Sequence, residues 1–387
     1  MIYFDNSATT KICDEALEKY NEVSRECFGN PSSLHGEGFR AEKLLEGARR
    51  DILSVLDARD ASLVFTGSGS EANNLAITGR AFAKERFRKN GKIIISEGEH
   101  ASVTAPVEML EKIGFKTAKI STRGGTLDLE MLERELDESV ILVSLMMVNN
   151  ETGALYDIMG ASRLVKARAK NALLHIDATQ SFMKLPFSMA KLGADMITVS
   201  SHKIEGPKGV GALAVSAAAL KSHGISPIIL GGGQEGGLRS GTENVPAICA
   251  FAEAVKIARG ELEKRKNANE ALRNRLVERI KSDELLSEIS ITEPMQHAPH
   301  IINLTLPSIK SETALHFLSS RGIFVSSGSA CSSNSRNISS ALVAFGRSEK
   351  EADASIRVSF SHRNTPDEVD ALADALRDAL TTLARAR

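Results

Sequence analysis

Met196-Ile197-Thr198-Val199-Ser200-Ser201-His202-Lys203 decides the fold. Its first half is short, apolar and non-alternating, the pattern of a strand buried on both faces. Its second half turns polar and ends on a lysine, followed by Glu205-Gly206-Pro207-Lys208-Gly209. A lysine at such an edge is partly desolvated, and burial lowers an amine's pKa and frees it as nucleophile and proton carrier. Upstream, Leu173-Leu174-His175-Ile176 is a second run of the same kind, ending on Asp177. An acid there can simply cap the next helix. Beside a lysine-bearing strand it is read instead as the partner of a protonated pyridine nitrogen. An amine to condense with an aldehyde and a carboxylate for a ring nitrogen are the minimal equipment for pyridoxal 5'-phosphate (PLP) chemistry. Gln180 would then contact the cofactor's phenolic oxygen, and Ser200 and His202 its phosphate.

Further runs of this type are Leu63-Val64-Phe65, Ile93-Ile94-Ile95, Val140 to Leu145 and Gly211 to Val215, separated by amphipathic stretches. Strands alternating with helices predict an α/β domain with a mainly parallel sheet covered on both sides. Ligands bind such sheets at the carboxyl ends of the strands. Residues 246–282 read as one long helix with Pro246 in its first turn. Its charged half, Glu261 to Lys281, mixes acids and bases around Leu272, Leu276 and Ile280, which marks a solvated face rather than a nucleic-acid surface. Beyond it, strand-like pieces at Ile301 to Leu306, Gly322 to Val325 and Ser355 to Phe360, with a last helix from near Pro366, predict a small α+β domain. The division expected is a large cofactor-binding domain over 14–255, and a small domain from 1–13 and 256–387.

The 387 residues exceed one simple core, and 42% hydrophobic with 25% charged is ordinary for a soluble protein. A formal net charge of -1 gives no field to recruit nucleic acid or an anionic membrane. Met1-Ile2-Tyr3-Phe4-Asp5 lacks a secretory signal, and no apolar run spans a bilayer, so a cytoplasmic protein is expected. Cys13, Cys27, Cys249 and Cys331 form no CxxC pair, so neither a metal site nor a disulfide framework is expected. The first three lie beside apolar sequence and read as small buried hydrophobes. Cys331 differs: Val325-Ser326-Ser327-Gly328-Ser329-Ala330-Cys331-Ser332-Ser333-Asn334-Ser335 is a small, polar tract. An exposed thiol there reads as reactive, able as thiolate to attack the sulfur of a bound substrate.

Other motifs also follow the predicted strands. Thr66-Gly67-Ser68-Gly69-Ser70-Glu71 precedes a helix and suits a phosphate, though a plain turn fits equally. It has neither the P-loop nor the dinucleotide glycine spacing. His100, after Ile95-Ser96-Glu97-Gly98-Glu99, is either an ordinary loop histidine or a ring that stacks on a pyridine. Asn149-Asn150-Glu151-Thr152-Gly153 is either a turn or an amide grip on cofactor or substrate. Arg357, inside the apolar Ser355-Ile356-Arg357-Val358-Ser359-Phe360, is either an internal salt bridge or a carboxylate clamp.

Together the motifs resemble the cysteine desulfurases, the NifS/IscS-like branch of the class-V aminotransferase family. The likeness runs from Tyr3 to Thr10 through Phe28 to Ser33, Phe65 to Asn74, Glu99-His100, Val148 to Gly153 and His175 to Ser181. It continues through Ser201 to Lys203, Gly206 to Gly209, Gly231 to Glu235, Arg239 to Asn244, Ser326 to Cys331 and Ser355 to Ser359. It implies PLP fold type I with a seven-stranded sheet, and a homodimer with sites at the subunit interface. By this resemblance Lys203 carries the cofactor and Cys331 the persulfide. His100 stacks on the ring, Asp177 meets its nitrogen and Gln180 its phenolate. Gly69, Ser70, Ser200 and His202 hold the phosphate, and Thr242 reaches it from the other subunit. Asn150, Arg357 and Asn30 bind the substrate carboxylate. The reaction implied converts L-cysteine to L-alanine, passing sulfur through Cys331 to an acceptor, an iron–sulfur scaffold or a tRNA-thiolation enzyme. Two positions depart from the pattern: Glu205, where relatives carry aromatic, histidine or small residues, and Met183, where they carry glycine. The longer tail that IscS-type members use near their scaffold is not seen after the last predicted helix, which leaves delivery to another acceptor open. Selenocysteine lyase or an aminotransferase shares the expected fold. A non-enzymatic sulfur carrier with a vestigial site is the rival from another class.

Overall fold

The computed structural model describes residues 1–83, 91–327 and 338–383. The chain opens with a short strand, β1 (Ile2–Tyr3). The apolar runs then become β2 (Ser62–Thr66), β3 (Lys92–Ser96), β5 (Val140–Met146), β6 (Leu173–Asp177), β7 (Met196–Ser200) and β8 (Gly211–Val215), joined by β4 (Lys116–Ile120). They form one seven-stranded sheet in the order β2-β8-β7-β6-β5-β3-β4. The strands from β7 to β4 are parallel, and β8 runs antiparallel to both its neighbours. Helices cover both faces, so Ile93, Ile94 and Ile95 are all fully buried, each contributing about 2 kcal/mol of apolar burial. β4 escaped the sequence pattern because it is an edge strand with little apolar sequence: Lys116 and Lys119, on opposite faces, are both exposed and discourage pairing with another chain.

This topology brings Thr66, Ser96, Met146, Asp177 and Ser200 to one edge of the sheet. Because β8 is reversed, its first residue, Gly211, pairs there with both Ser200 and Thr66. A Cβ on Gly211 would lie 2.6 Å from the carbonyl carbon of Ser68 and 2.7 Å from the nitrogen of Gly69. Only glycine lets the following loop pass this close.

Residues 246–282 are two helices rather than one, Val245–Gly260 and Leu262–Ser282. Gly260 is a weak helix former, and Glu261 has φ −117°, ψ 8°, outside helical geometry. Glu261 then starts the second helix, its carboxylate 2.9 Å from Arg265 Nη2. The first helix packs on Asp14–Glu26 and Gly36–Val55 as part of the large domain. Leu272, Leu276 and Ile280 of the second face another core.

That second core surrounds β9 (Ser290–Thr292), β10 (Ile301–Thr305), β11 (Ile323–Phe324), β12 (Ser326–Ser327) and β13 (Ser355–Ser359). The four-stranded sheet has the order β12-β13-β10-β9 and is antiparallel. β1 pairs in parallel with β11, and Phe4 meets Phe360 edge-to-face, centroids 5.7 Å apart. The chain then crosses to the large sheet, where Thr10 Oγ1 donates to the His202 carbonyl and accepts from the Glu205 amide, each at 2.8 Å.

Glu205 ties the two cores together. Its buried carboxylate meets Arg363 Nη2 at 3.1 Å, His362 Nδ1 at 3.5 Å and Arg265 Nη1 at 3.6 Å. It takes φ 66°, a left-handed backbone that costs a non-glycine residue energy and is kept only where the surroundings enforce it. Glu205→Ala leaves two guanidinium groups facing one another without their shared anion. The expected loss is about 3 kcal/mol, read as a lower urea midpoint.

Candidate active site

A cleft of about 470 Å³ lies at the carboxyl edge of the large sheet, within the usual range for a cofactor-sized site. Lys203 ends the turn Ser201–Lys203 after β7 and is half-buried. Its Nζ donates to the carbonyls of Ser7 at 2.6 Å and Ala8 at 2.7 Å. Asp177 ends β6 and is only 6% exposed. Its Oδ1 accepts from the Thr179 amide at 2.9 Å, and its Oδ2 from Asn73 Nδ2 at 2.8 Å. Two residues earlier on the same face, His175 sits between Ser144 Oγ at 2.8 Å and Thr198 Oγ1 at 2.9 Å. Burial pulls its pKa down to about 4 against the pull of Asp177, so a neutral ring underlies the carboxylate.

His100 caps the helix Ala101–Lys112, its Nδ1 accepting from the Ser102 amide at 3.1 Å. One surface of the ring faces the cleft. Desolvation holds its pKa below the ordinary value, Asp177 opposing and Lys203 assisting. A neutral imidazole in that position suits stacking on a flat ring.

At the other end, the helix Gly69–Ala81 points its N-terminus into the cleft, with Ser68 capping the Glu71 amide at 3.1 Å. A Cβ on Gly69 would sit 3.2 Å from Ser200 Cβ and 3.4 Å from Thr179 Oγ1. Ser200 Oγ is buried without a hydrogen-bond partner. His202 is held neutral, its pKa lowered to about 4 by burial and then by Lys203, Lys208 and Lys184. An orphaned hydroxyl, a neutral imidazole and a helix N-terminus make an anion cradle. With Lys203 and Asp177 beyond it, the donor set fits a phosphorylated pyridine aldehyde. Gln180 lies between, its Nε2 donating to the Ser7 carbonyl at 2.9 Å.

Of the two sequence readings of Arg357, the structure shows the salt bridge. Its Nη2 lies 2.7 Å from Asp5 Oδ1 and its Nη1 donates to the Asn150 carbonyl at 2.9 Å. Its Nε is buried without a partner, and the side chain lines the cleft. The two asparagines divide the other motif. Asn149 is structural, accepting from the amides of Glu151 and Thr152, whereas Asn150 lines the cleft.

Gly69, Ser70, His100, Asn150, Asp177, Gln180, Ser200, His202, Lys203 and Arg357 therefore share one cleft. Asn30 and Thr242 do not line it in this chain. Asn30 uses its side chain in a turn, accepting from the Ser32 amide at 2.9 Å, and Thr242 is exposed in a separate loop. Cys331 lies outside the described residues. Cys13, Cys27 and Cys249 are buried free thiols as expected, and burial pushes Cys249 up to about 11.

Sequence reasoning missed Ser7, which acts through its main-chain carbonyl, and Asn73, a buried polar residue in an otherwise apolar helix face. It also passed over Arg239, whose Nε meets Glu71 Oε1 at 2.8 Å and ties the Thr242 loop to the phosphate end. Glu99 was noticed only as a neighbour of His100. It is 4% exposed, and its Oε1 accepts from Ser96 Oγ at 2.6 Å and the Met146 amide at 2.8 Å.

The fold and the cleft define a PLP-dependent transferase of fold type I. Residues 2–372 match the family model for class-V aminotransferases. The chain is 37% identical over 384 residues to cysteine desulfurase IscS 1 of Archaeoglobus fulgidus, covering 99% of this chain and 98% of that protein. Among solved structures, a NifS-like protein superposes with a TM-score of 0.89 at 35% identity, covering 98% of this chain and 99% of that one. SspA in complex with cysteine gives 0.79 at 30% identity, covering 94% and 100%. The chain belongs to the class-V aminotransferase family, in its IscS/NifS cysteine desulfurase group, and its cofactor is PLP.

Two outcomes follow from this geometry. Asn73→Leu strips one of the donors from the buried Asp177 carboxylate, and PLP affinity in equilibrium dialysis should fall about tenfold. Burial raises Glu99 from an ordinary value of 4.5 to about 8. The folded protein thus holds a proton there that the unfolded chain releases above 4.5, so stability is lost as pH rises through this window and levels off above about 8. Glu99→Gln should flatten the fall in Tm between about pH 6 and pH 8. An unchanged slope would mean that Glu99 is not the group responsible.

Proposed function

We propose that this protein is a cysteine desulfurase: it takes sulfur from L-cysteine onto Cys331 and releases L-alanine. The observation that carries this reading is the meeting of Lys203, Asp177, His100 and Arg357 in one cleft with Ser326 and Ser327, the residues that lead in sequence to Cys331. Bound PLP supplies an electron sink for the pair left when the substrate's α-proton is removed. Lys203 Nζ, once the substrate amine has taken its place, would remove the proton from Cα and later return one there. Asp177 holds the ring nitrogen protonated, and His100 covers the ring. Arg357, through its unpaired Nε, and the Asn150 amide take the substrate carboxylate, each contributing ~10-fold in rate through orientation.

The Cys331 thiolate then attacks the substrate sulfur. An S–S bond forms, the Cβ–S bond breaks, and its electron pair stays with the carbon, which gains a proton and leaves as alanine. Cys331 keeps the sulfur as a persulfide, with no external oxidant needed. The sulfur passes on to an acceptor protein, an iron–sulfur assembly scaffold or a tRNA-thiolation enzyme.

The protein acts as a cytoplasmic homodimer. Phe28, Leu34, Phe39 and Leu230 are 79%, 93%, 60% and 79% exposed, which suits a surface covered by a second copy. Asn30 and Thr242, absent from this cleft, lie in the same two segments as these side chains. Each subunit lends Thr242 to the other's phosphate site. Among the described residues no helix is long and apolar enough to cross a membrane.

Incubation with L-cysteine and PLP should give alanine and sulfide, with one added sulfur on Cys331 by mass spectrometry. Cys331→Ala should lose sulfide release by at least about 10³-fold, as for removal of an essential nucleophile. Full activity in that variant would overturn the persulfide route, and a colourless protein that ignores added PLP would overturn the enzyme reading.

A further inference from the structure

Gln180 is held by two groups that leave its amide a single orientation. Nε2 donates to the Ser7 carbonyl at 2.9 Å, and Oε1 accepts from Lys184 Nζ at 3.3 Å. A carbonyl cannot donate and an ammonium cannot accept, so a flipped amide would set acceptor against acceptor and donor against donor. The same Ser7 carbonyl takes Lys203 Nζ at 2.6 Å. Lys184 is thus linked to the cofactor-carrying lysine through one side chain and one carbonyl.

Lys184 is fixed by its own local structure. The turn after β6 bonds the Phe182 amide to the Ala178 carbonyl and the Lys184 amide to the Ser181 carbonyl, at 2.8 and 3.0 Å. This places Lys184 four residues beyond Gln180 and beside a small cavity shared with Lys203. No step of the proposed reaction uses it.

We propose that Lys184 is a positioning residue for the cofactor: it pins Gln180 so that the amide N–H, and not its carbonyl, is presented to the phenolic oxygen of PLP. This rests on the cleft's reading as a PLP site and is independent of sulfur transfer. The presented N–H favours the deprotonated form of the bound chromophore, so losing it should make the chromophore hold its proton to higher pH.

The charged and titratable groups facing Lys184 are Lys203, Arg357, Glu205, His202 and His300, with Arg265, Lys266 and His362 across the small cavity. Burial, then Lys203 and Arg357, lower the Lys184 pKa to about 7, with Glu205 opposing. The neutral amine can still donate to Gln180 but can also accept, so after the loss of charge the Ser7 carbonyl alone holds the orientation.

The test is the pH titration of the bound cofactor's visible absorbance in the holoenzyme, with PLP dissociation constants measured alongside. Lys184→Met should move the midpoint up by about one pH unit and weaken PLP binding several-fold, about what one charge-assisted hydrogen bond accounts for. Lys184→Arg, which keeps the donor, should restore most of the shift. In a Gln180→Leu background, Lys184→Met should add little, because the partner through which it acts is gone. A Lys184→Met titration superimposable on the parent overturns the proposal. So does an equal shift in both backgrounds, which would mean direct action by charge. A protein that binds PLP and titrates as expected, yet releases no sulfide from L-cysteine, would instead overturn the desulfurase reading and leave this one standing.

Discussion

The buried carboxylate of Asp177 is the constraint around which the site is arranged. A carboxylate with 6% exposure must find hydrogen-bond donors within the protein or pay the cost of desolvation. Asn73 and the Thr179 amide supply them. This fixes where the helix Gly69–Ala81 lies against β6, and hence where its N-terminus points. The phosphate end and the ring-nitrogen end of the cleft are set by one helix, so the distance between them is built into a rigid element. His175 below, kept neutral between two hydroxyls, supports the acid without competing with it for charge.

The substrate end depends on a different part of the molecule. Arg357 belongs to the small antiparallel sheet, yet it reaches the Asn150 carbonyl of the large one. Residues 5–10 run between the two cores. Asp5 anchors Arg357, Ser7 receives Lys203 and Gln180, and Thr10 receives the His202–Glu205 turn. Glu205 closes the same junction with a buried anion among cationic groups. A carboxylate at this position makes the link between cores electrostatic, hence dependent on intact partners in a way that apolar packing is not.

Much of this was legible in the sequence where burial leaves a one-dimensional trace. Strands covered on both faces read as unbroken apolar runs, and the polar residues that follow them collect at one edge because parallel strands all end there. β4 was missed because this edge strand, Lys-Thr-Ala-Lys-Ile, has no apolar run, and the break at Gly260–Glu261 because propensity differences of about 1 kcal/mol are decided by what each helix packs against. The sequence left Arg357 between salt bridge and clamp; the folded chain makes the salt bridge through Nη2 and leaves Nε buried without a partner. Ser7 had no sequence signal at all, since any residue offers the same carbonyl. Asn73 carried a faint one, an amide flanked by the apolar residues Ala72, Leu75, Ala76 and Ile77 of its helix. Lys184 was hidden by its type: a lysine is taken for a surface charge until its amine is found inside.

The crossing of residues 5–10 also sets an order of events during synthesis. Asn6 Nδ2 bonds the carbonyl of Ser359, 353 residues away, and the Ser7 amide bonds Ser359 Oγ. The segment made first is seated only when almost the last strand has been made. At ribosomal rates of roughly 5–20 residues per second, that interval is about 20–70 s. Once Val215 has been made, the large sheet can assemble around Lys203 while the contacts of Asn6 and Ser7 with Ser359 are still unmade. Lys203 can thus be in place before the carbonyls of Ser7 and Ala8 are fully seated, and this side of the cleft is completed late, by the docking of residues 5–10.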